Sequence, residues 1–158
     1  MTKSMRRMDG SSPEAIGVIN GEQYAALPYV AIGGGLLVCL ATSRETRRWI
    51  IPKGWPKKKL APHVLAAEEA MEEAGLAGHI SPAPLGSYVY EKRFVGQPSR
   101  MCRVVVFPLL VTSQALDWPE RAERELVWVP ATDAAALVDE AELAAMLRAL
   151  PFMPVRRE

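Results

Sequence analysis

Apolar runs of strand length alternate along the chain with polar breaks rich in glycine and proline. Tyr24–Ile32 and Leu36–Thr42 are two such runs, and Gly33-Gly34-Gly35 between them has the composition of a hairpin connection. Trp49-Ile50-Ile51 predicts a short strand stopped by Pro52. Leu85–Phe94 alternates through Tyr88 and Tyr90, and Met101–Thr112 is almost wholly apolar, as for a strand buried on both faces. Leu126–Val129 predicts another short strand. Between them, Pro62 suits the first turn of a helix reaching about Ala74, with Gly75 where a left-handed cap belongs. Asp133 predicts the N-cap of a last, alanine-rich helical region reaching about Leu150. Residues 1–22 are polar and aperiodic, with Gly10-Ser11-Ser12-Pro13 as a breaker, and predict a flexible N-terminal arm before a single domain over 23–158. Strands before and after a central helix, plus a C-terminal helix, imply an α/β sandwich: a mixed sheet covered on both faces.

Composition narrows the class. A chain of 158 residues suits one domain with one core. Apolar content of 49 % and charged content of 23 % are those of an ordinary soluble protein. A net charge of +1 gives no reason to expect a nucleic-acid polymer as partner, so the placement of charge matters more than its sum. Cys39 and Cys102 both fall in apolar runs, which predicts buried thiols in a reducing compartment and not a disulfide. No apolar run approaches the ~18 residues of a membrane span. Arg6-Arg7 is followed by Met8-Asp9-Gly10-Ser11-Ser12-Pro13 in place of an apolar signal core, so a cytoplasmic location without membrane contact is the expectation.

The segment Glu68-Glu69-Ala70-Met71-Glu72-Glu73-Ala74-Gly75 raises a question of charge. Like charges at i,i+4 destabilise a helix by roughly 0.2–0.5 kcal/mol per pair. The flanking residues Val64, Leu65, Ala66, Leu76 and Ala77 bring no cation. On a helix, Glu69, Glu72 and Glu73 fall within one arc of about 100°, with Glu68 at its border. Leu65, Ala66, Ala70 and Met71 supply the buried side, and Ala67, Ala70 and Ala74 permit close approach to a sheet. Oxygen-only ligands on a rigid element suit a hard divalent cation, Mg²⁺ or Mn²⁺, shared with substrate phosphates. The basic loop Lys53-Gly54-Trp55-Pro56-Lys57-Lys58-Lys59 lies just upstream, placed to grip phosphate. A solvated acidic face is the plainer alternative.

Gly54 through Leu76 resembles the Nudix box, G-x5-E-x7-R-E-U-x-E-E-x-G-U, where U is a bulky apolar residue. Gly54 takes the first glycine, Glu69 the glutamate after the arginine, Glu72 and Glu73 the paired glutamates, and Gly75-Leu76 the end of the frame. Leu60 stands at the first glutamate, Glu68 at the arginine and Ala70 at the first U. Outside the box, Ser43-Arg44, Arg48-Trp49-Ile50-Ile51-Pro52, Leu109–Thr112, Asp117-Trp118-Pro119-Glu120 and Val127-Trp128-Val129 look like the branch that hydrolyses diphosphoinositol and diadenosine polyphosphates.

The resemblance implies a Nudix-type α/β/α sandwich with a mixed central sheet and a phosphoanhydride hydrolase acting on a phosphorylated small molecule, as monomer or homodimer. It implies that Glu69, Glu72 and Glu73, with the backbone carbonyl of Lys53, bind Mg²⁺ (or Mn²⁺), Glu69 also assisting deprotonation of water. Arg44, Arg48, Lys53, Gly54, Lys92 and Arg93 become the candidate substrate-binding residues, arginine giving bidentate and lysine point contacts to phosphate. A base from outside the box is open among Glu120, Glu123 and Glu125. In the family the box arginine orients the following glutamate, so Leu60 and Glu68 support an alternative: a weakly active or inactive ligand-binding module. His63 and His79 are each isolated from a second ligand at zinc spacing, and Trp55 and Tyr90 read as core or rim packing.

Overall fold

A hairpin founds the sheet. β1 (Gly21–Ile32) and β2 (Gly35–Thr42) pair antiparallel, and only Gly33 and Gly34 separate the paired Ile32 and Gly35. Both turn residues have positive φ, 57° and 83°, the requirement of a two-residue turn that matches strand twist. The computed structural model describes residues 19–158. The expected arm therefore lies, as far as residue 18, outside the described residues, while its predicted end overlaps β1.

β3 (Trp49–Ile50) extends the sheet from β2, and β4 (Lys53–Gly54) pairs antiparallel with β1 through Tyr24–Gly54 and Ala25–Lys53. The basic loop thus begins as a strand. Helix α1 (Pro62–Ala74) follows, then β5 (Leu76–Ile80), β6 (Gly86–Phe94) and the long β7 (Gln97–Gln114). β1 and β7 run parallel from Gly21–Cys102 to Tyr29–Leu110, whereas β5 and β6 meet β7 antiparallel. β8 (Leu126–Pro130) returns to β2, giving a mixed eight-stranded sheet among the described residues. A short helix α2 (Ala131–Ala134) and α3 (Ala141–Ala149) follow, and a 3-10 turn at Leu150–Phe152 continues α3.

Two cores flank the sheet. On one face Ala66, Ala70 and Ala74 of α1 meet Ala26, Cys39, Phe107 and Leu109. On the other, Leu27, Val38, Tyr88 and Val104 pack with Ala131, Ala134, Leu143 and Leu147. This is the expected α/β sandwich with helices on both sides. Alanines on α1 shorten its distance to the strands, which decides how deeply its glutamates sit. Cys39 and Cys102 are free and buried in different cores.

Two expectations are corrected, and one strand was not foreseen. The C-terminal helical region is broken into α2 and α3, and Asp133 lies inside α2 and does not cap it; Pro130 and Glu140 stand at the two N-caps. Met71, expected on the buried side of α1, is 37 % exposed, because the buried stripe of the helix runs through Leu65, Ala66, Glu69, Ala70, Glu73 and Ala74 and leaves it out. Leu76–Ile80 forms a strand that its Ala77-Gly78-His79 centre gave no apolar alternation to reveal. No helix among the described residues is long and apolar enough to cross a membrane.

Candidate metal and phosphate site

Helix α1 opens at Pro62, whose missing N–H is no loss in the first turn, and ends at Gly75 with φ 70°. The Gly75 N–H donates to the Met71 carbonyl, closing the helix directly after the paired glutamates. Burial separates the four acids. Glu69 and Glu73 are 8 % and 5 % exposed, Glu72 is half-buried, and Glu68 faces solvent. Gly54 explains the depth of Glu69: a Cβ at position 54 would lie 2.5 Å from both its Cδ and its Oε2.

Counter-charge does arrive, from outside the helix. Lys57 Nζ stands 3.6 Å from Glu68 Oε1 and 4.0 Å from Glu69 Oε2. On the other side, Arg124 Nη2 lies 3.7 Å from Glu73 Oε1 and 2.7 Å from Glu120 Oε1. The Arg124 contact to Glu73 is an ion pair too long for a hydrogen bond, and Glu73 Oε1 has no hydrogen-bond partner. Burial raises the Glu69 carboxyl above its ordinary range. Burial also pushes Glu73 up to about 8, against the opposing pull of Arg124 and Lys53. Lys53 moves the other way, down to about 8, through burial opposed by Glu73.

The cations expected to bind phosphate separate into groups. Lys53 Nζ lies 4.9 Å and the Arg48 guanidinium 5.9 Å from the Tyr90 ring centroid. Lys92, half-buried on β6, adds its charge to Lys53. Arg48 is drawn into an ion pair with Glu140, and the Tyr90 hydroxyl donates to Gln23 Oε1 at 2.6 Å. Arg93 alternates outward, 80 % exposed beside Glu91. Arg44, in the turn between β2 and β3, is engaged by the loop before β8, 3.2 Å from Glu123 Oε1 and 3.9 Å from Glu120 Oε2. Of the three loop glutamates, Glu120 is the one that shares Arg124 with Glu73; Glu123 and Glu125 pair with Arg44 and Arg47 nearer solvent.

His63 sits with its ring centroid 6.3 Å from that of Phe107, and His79 is exposed on β5. Trp55 packs at the rim against Gly21 and the Arg100 guanidinium. Sequence reasoning missed Arg124 and Trp118. Trp118 Nε1 donates to the Glu73 carbonyl at 3.2 Å, and the Glu120 N–H donates to the Glu72 carbonyl at 3.1 Å. The Glu120–Arg124 spacing of four was a readable signal, but nothing local pointed from it to Glu73.

Among the described residues no three His, Cys, Asp or Glu side chains converge as a preformed metal cage. The donor set nonetheless fits a hard cation that retains waters. Glu69 and Glu73 supply buried carboxylate oxygens, Glu72 a half-buried one, and Glu73 Oε1 accepts no hydrogen bond inside the protein.

No family model matches the chain. Among curated proteins it is 30 % identical over 105 residues to Nudix hydrolase 12, mitochondrial, of Arabidopsis thaliana, covering 65 % of this chain and 52 % of that protein. It is also 30 % identical over 111 residues to Nudix hydrolase 21, chloroplastic, of the same plant, covering 69 % and 54 %. The chain thus spans about half the length of the curated relatives it matches. Among solved structures, the Caenorhabditis elegans Ap4A hydrolase superposes with a TM-score of 0.57 at 18 % identity, over 82 % of this chain and 95 % of that one. The NUDIX domain of Shewanella oneidensis NrtR, complexed with ADP ribose, gives 0.58 at 16 % identity, over 90 % and 94 %. In fold, and in sequence over about two thirds of its length, this chain is similar to Nudix hydrolases.

Proposed function

We propose that the chain is a divalent-metal-dependent hydrolase of a phosphoanhydride bond, in a nucleoside-diphosphate-linked or polyphosphorylated small molecule. The observation that carries this reading is the buried, unpartnered Glu73 Oε1 beside Glu69, with Lys53 on the adjoining strand. Glu69, Glu72 and Glu73, with the Lys53 carbonyl, hold Mg²⁺ or Mn²⁺. When bound, the metal neutralises charge on diphosphate oxygens and lowers the pKa of the attacking water.

The chain's own residues divide the remaining work. Lys53, over the Tyr90 ring, and Lys92, whose charge reaches Lys53, attract the phosphate oxygens. Glu69, braced by the absent side chain of Gly54, keeps one orientation. Glu120 is the loop carboxylate best placed to accept a proton from water, because Arg124 ties it to Glu73. The fold's similarity to an Ap4A hydrolase and to an ADP-ribose-bound domain supports a substrate in which a diphosphate joins two groups.

The test is phosphate or nucleotide release from dinucleoside polyphosphates, nucleoside-diphosphate sugars and inositol pyrophosphates, with Mg²⁺ or Mn²⁺. Turnover of one class that disappears in Glu73→Gln is the expected result. Absence of turnover on the whole panel overturns the reading, and metal-independent binding without turnover would assign the chain a ligand-binding role.

A further inference from the structure

The position that carries arginine in the Nudix box is Glu68 here, and its side chain is half-exposed and turned toward Lys57. The guanidinium nearest the buried glutamates comes instead from Arg124, in the segment between β7 and β8, with a side chain only 7 % exposed. Its Nη1 donates to the Thr42 carbonyl at 3.0 Å, at the end of β2. Its Nε donates to Glu120 Oε1 at 2.7 Å, and Nη2 approaches the same oxygen at 2.7 Å and Glu73 Oε1 at 3.7 Å. One planar group therefore contacts a strand end, a loop and the central helix. The fork geometry of arginine suits this, and a lysine offers no such plane.

From this geometry we infer that Arg124 is a positioning residue for the metal and phosphate site, setting Glu73 and Glu120 at a fixed separation from outside the helix. The inference rests on the hydrolase reading above. Thr42 anchors the guanidinium, so it cannot follow either carboxylate. Glu125 N–H donates to Thr42 Oγ1 at 2.9 Å and Thr42 N–H to the Glu125 carbonyl at 3.0 Å, which fixes the backbone on both sides. With Arg124 in place, Glu73 has a counter-charge that stands off its Oε1 without donating a hydrogen bond to it. Without it, two facing carboxylates would turn apart.

A merely electrostatic neighbour predicts the opposite result. A positive group beside metal ligands opposes a divalent cation, so removing it would tighten metal binding. The experiment is calorimetric titration of the full chain with Mn²⁺ alone, together with steady-state kinetics on the substrate found active. Arg124→Met is expected to weaken Mn²⁺ binding at least tenfold and to lower kcat at least tenfold with KM within twofold. Arg124→Lys is expected to recover part of both. Arg124→Met/Glu120→Gln is compared with Glu120→Gln: a double variant still weaker than the single shows service to Glu73, and equality shows that Arg124 serves only Glu120 and overturns the inference. Unchanged or tighter Mn²⁺ binding in Arg124→Met also overturns it. If Arg124→Met does not fold, Arg124→Lys and Arg124→Lys/Glu120→Gln decide by the same comparison. A wild-type chain that neither binds Mn²⁺ nor turns over the panel removes the hydrolase reading itself, whereas an active wild type with an unaffected Arg124→Lys removes this inference alone.

Discussion

Gly54 and Glu69 compete for the same space: any Cβ at position 54 would stand 2.5 Å from the carboxyl carbon of Glu69. The two belong to different elements, β4 and α1, and their contact fixes how the carboxylate leaves the helix. Gly54→Ala is therefore expected to displace Glu69. Overpacking of this kind costs roughly 1–3 kcal/mol, and turnover is expected to fall at least tenfold. Denaturant unfolding and steady-state kinetics check the two effects separately.

Glu73 gives the metal-free protein a distinctive dependence on pH. Its carboxyl is held up to about 8 by burial, against an ordinary value of 4.5, so the folded chain binds more protons than the unfolded chain across that window. Stability must then fall as pH rises from about 4.5 towards 8, by on the order of 1 kcal/mol per pH unit. Lys53, held down to about 8 from 10.5, acts above that range: there the unfolded chain binds the extra proton and stability recovers with pH. Urea unfolding of the metal-free chain between pH 5 and 8 is expected to show the decline, and Glu73→Gln to flatten it. Metal uptake at pH 7 should release protons, measurable by calorimetry in buffers of different ionisation enthalpy.

Glu68→Arg restores the usual charge at that box position. Its present partner Lys57 is half-exposed, as Glu68 is, and such pairs contribute little. The expected stability change is within about 1 kcal/mol. Turnover is expected to stay within threefold, because the buried Arg124 already supplies a guanidinium at Glu73. A large rise would mean that orientation of Glu69 limits the rate.

Gly75→Ala meets two obstacles. The residue has φ 70°, and its Cβ would lie 2.5 Å from Trp118 Cε3. The conformation alone costs roughly 1–2 kcal/mol, and the clash must add to it. Thermal unfolding should show a loss larger than for Trp118→Ala, which removes the obstacle and one hydrogen bond to the Glu73 carbonyl.

Lys92 and Arg93 are neighbours with opposite orientations on β6. Lys92→Ala is expected to raise KM for a diphosphate substrate severalfold, and Arg93→Ala to leave it within twofold, since Arg93 is 80 % exposed and engaged with Glu91. Kinetics at two ionic strengths separates a specific contact from general attraction.

The parts legible in the sequence were those fixed by neighbours in the chain. Pro62 and Gly75 marked the ends of α1, Gly33-Gly34 lay in the hairpin turn, and the spacing of Glu69 and Glu73 put them together on the buried side of a helix. Arg124 was hidden because its partners Thr42, Glu73 and Glu120 come from three segments, and only Glu120 stands at a local spacing. Met71 misled because apolar character did not decide the buried face; the line of the buried stripe did. The break between α2 and α3 follows a run of alanines, leucine and valine that carries no proline or glycine to mark it. Arg93 looked equivalent to Lys92 until the strand's twofold alternation separated them.

The parallel pairing of β1 with β7 also bears on the order in which the chain acquires its site. A hairpin such as β1–β2 can close within microseconds, but a parallel partner must be brought back over a long connection whose closure entropy comes first. Lys53 reaches its place with β4, and Glu69 and Glu73 with α1, both encoded before β7. Arg124 is encoded after it. The acids of the site are thus translated before Arg124, and because α1 packs on Phe107 and Leu109, β7 must be in place before those acids are buried.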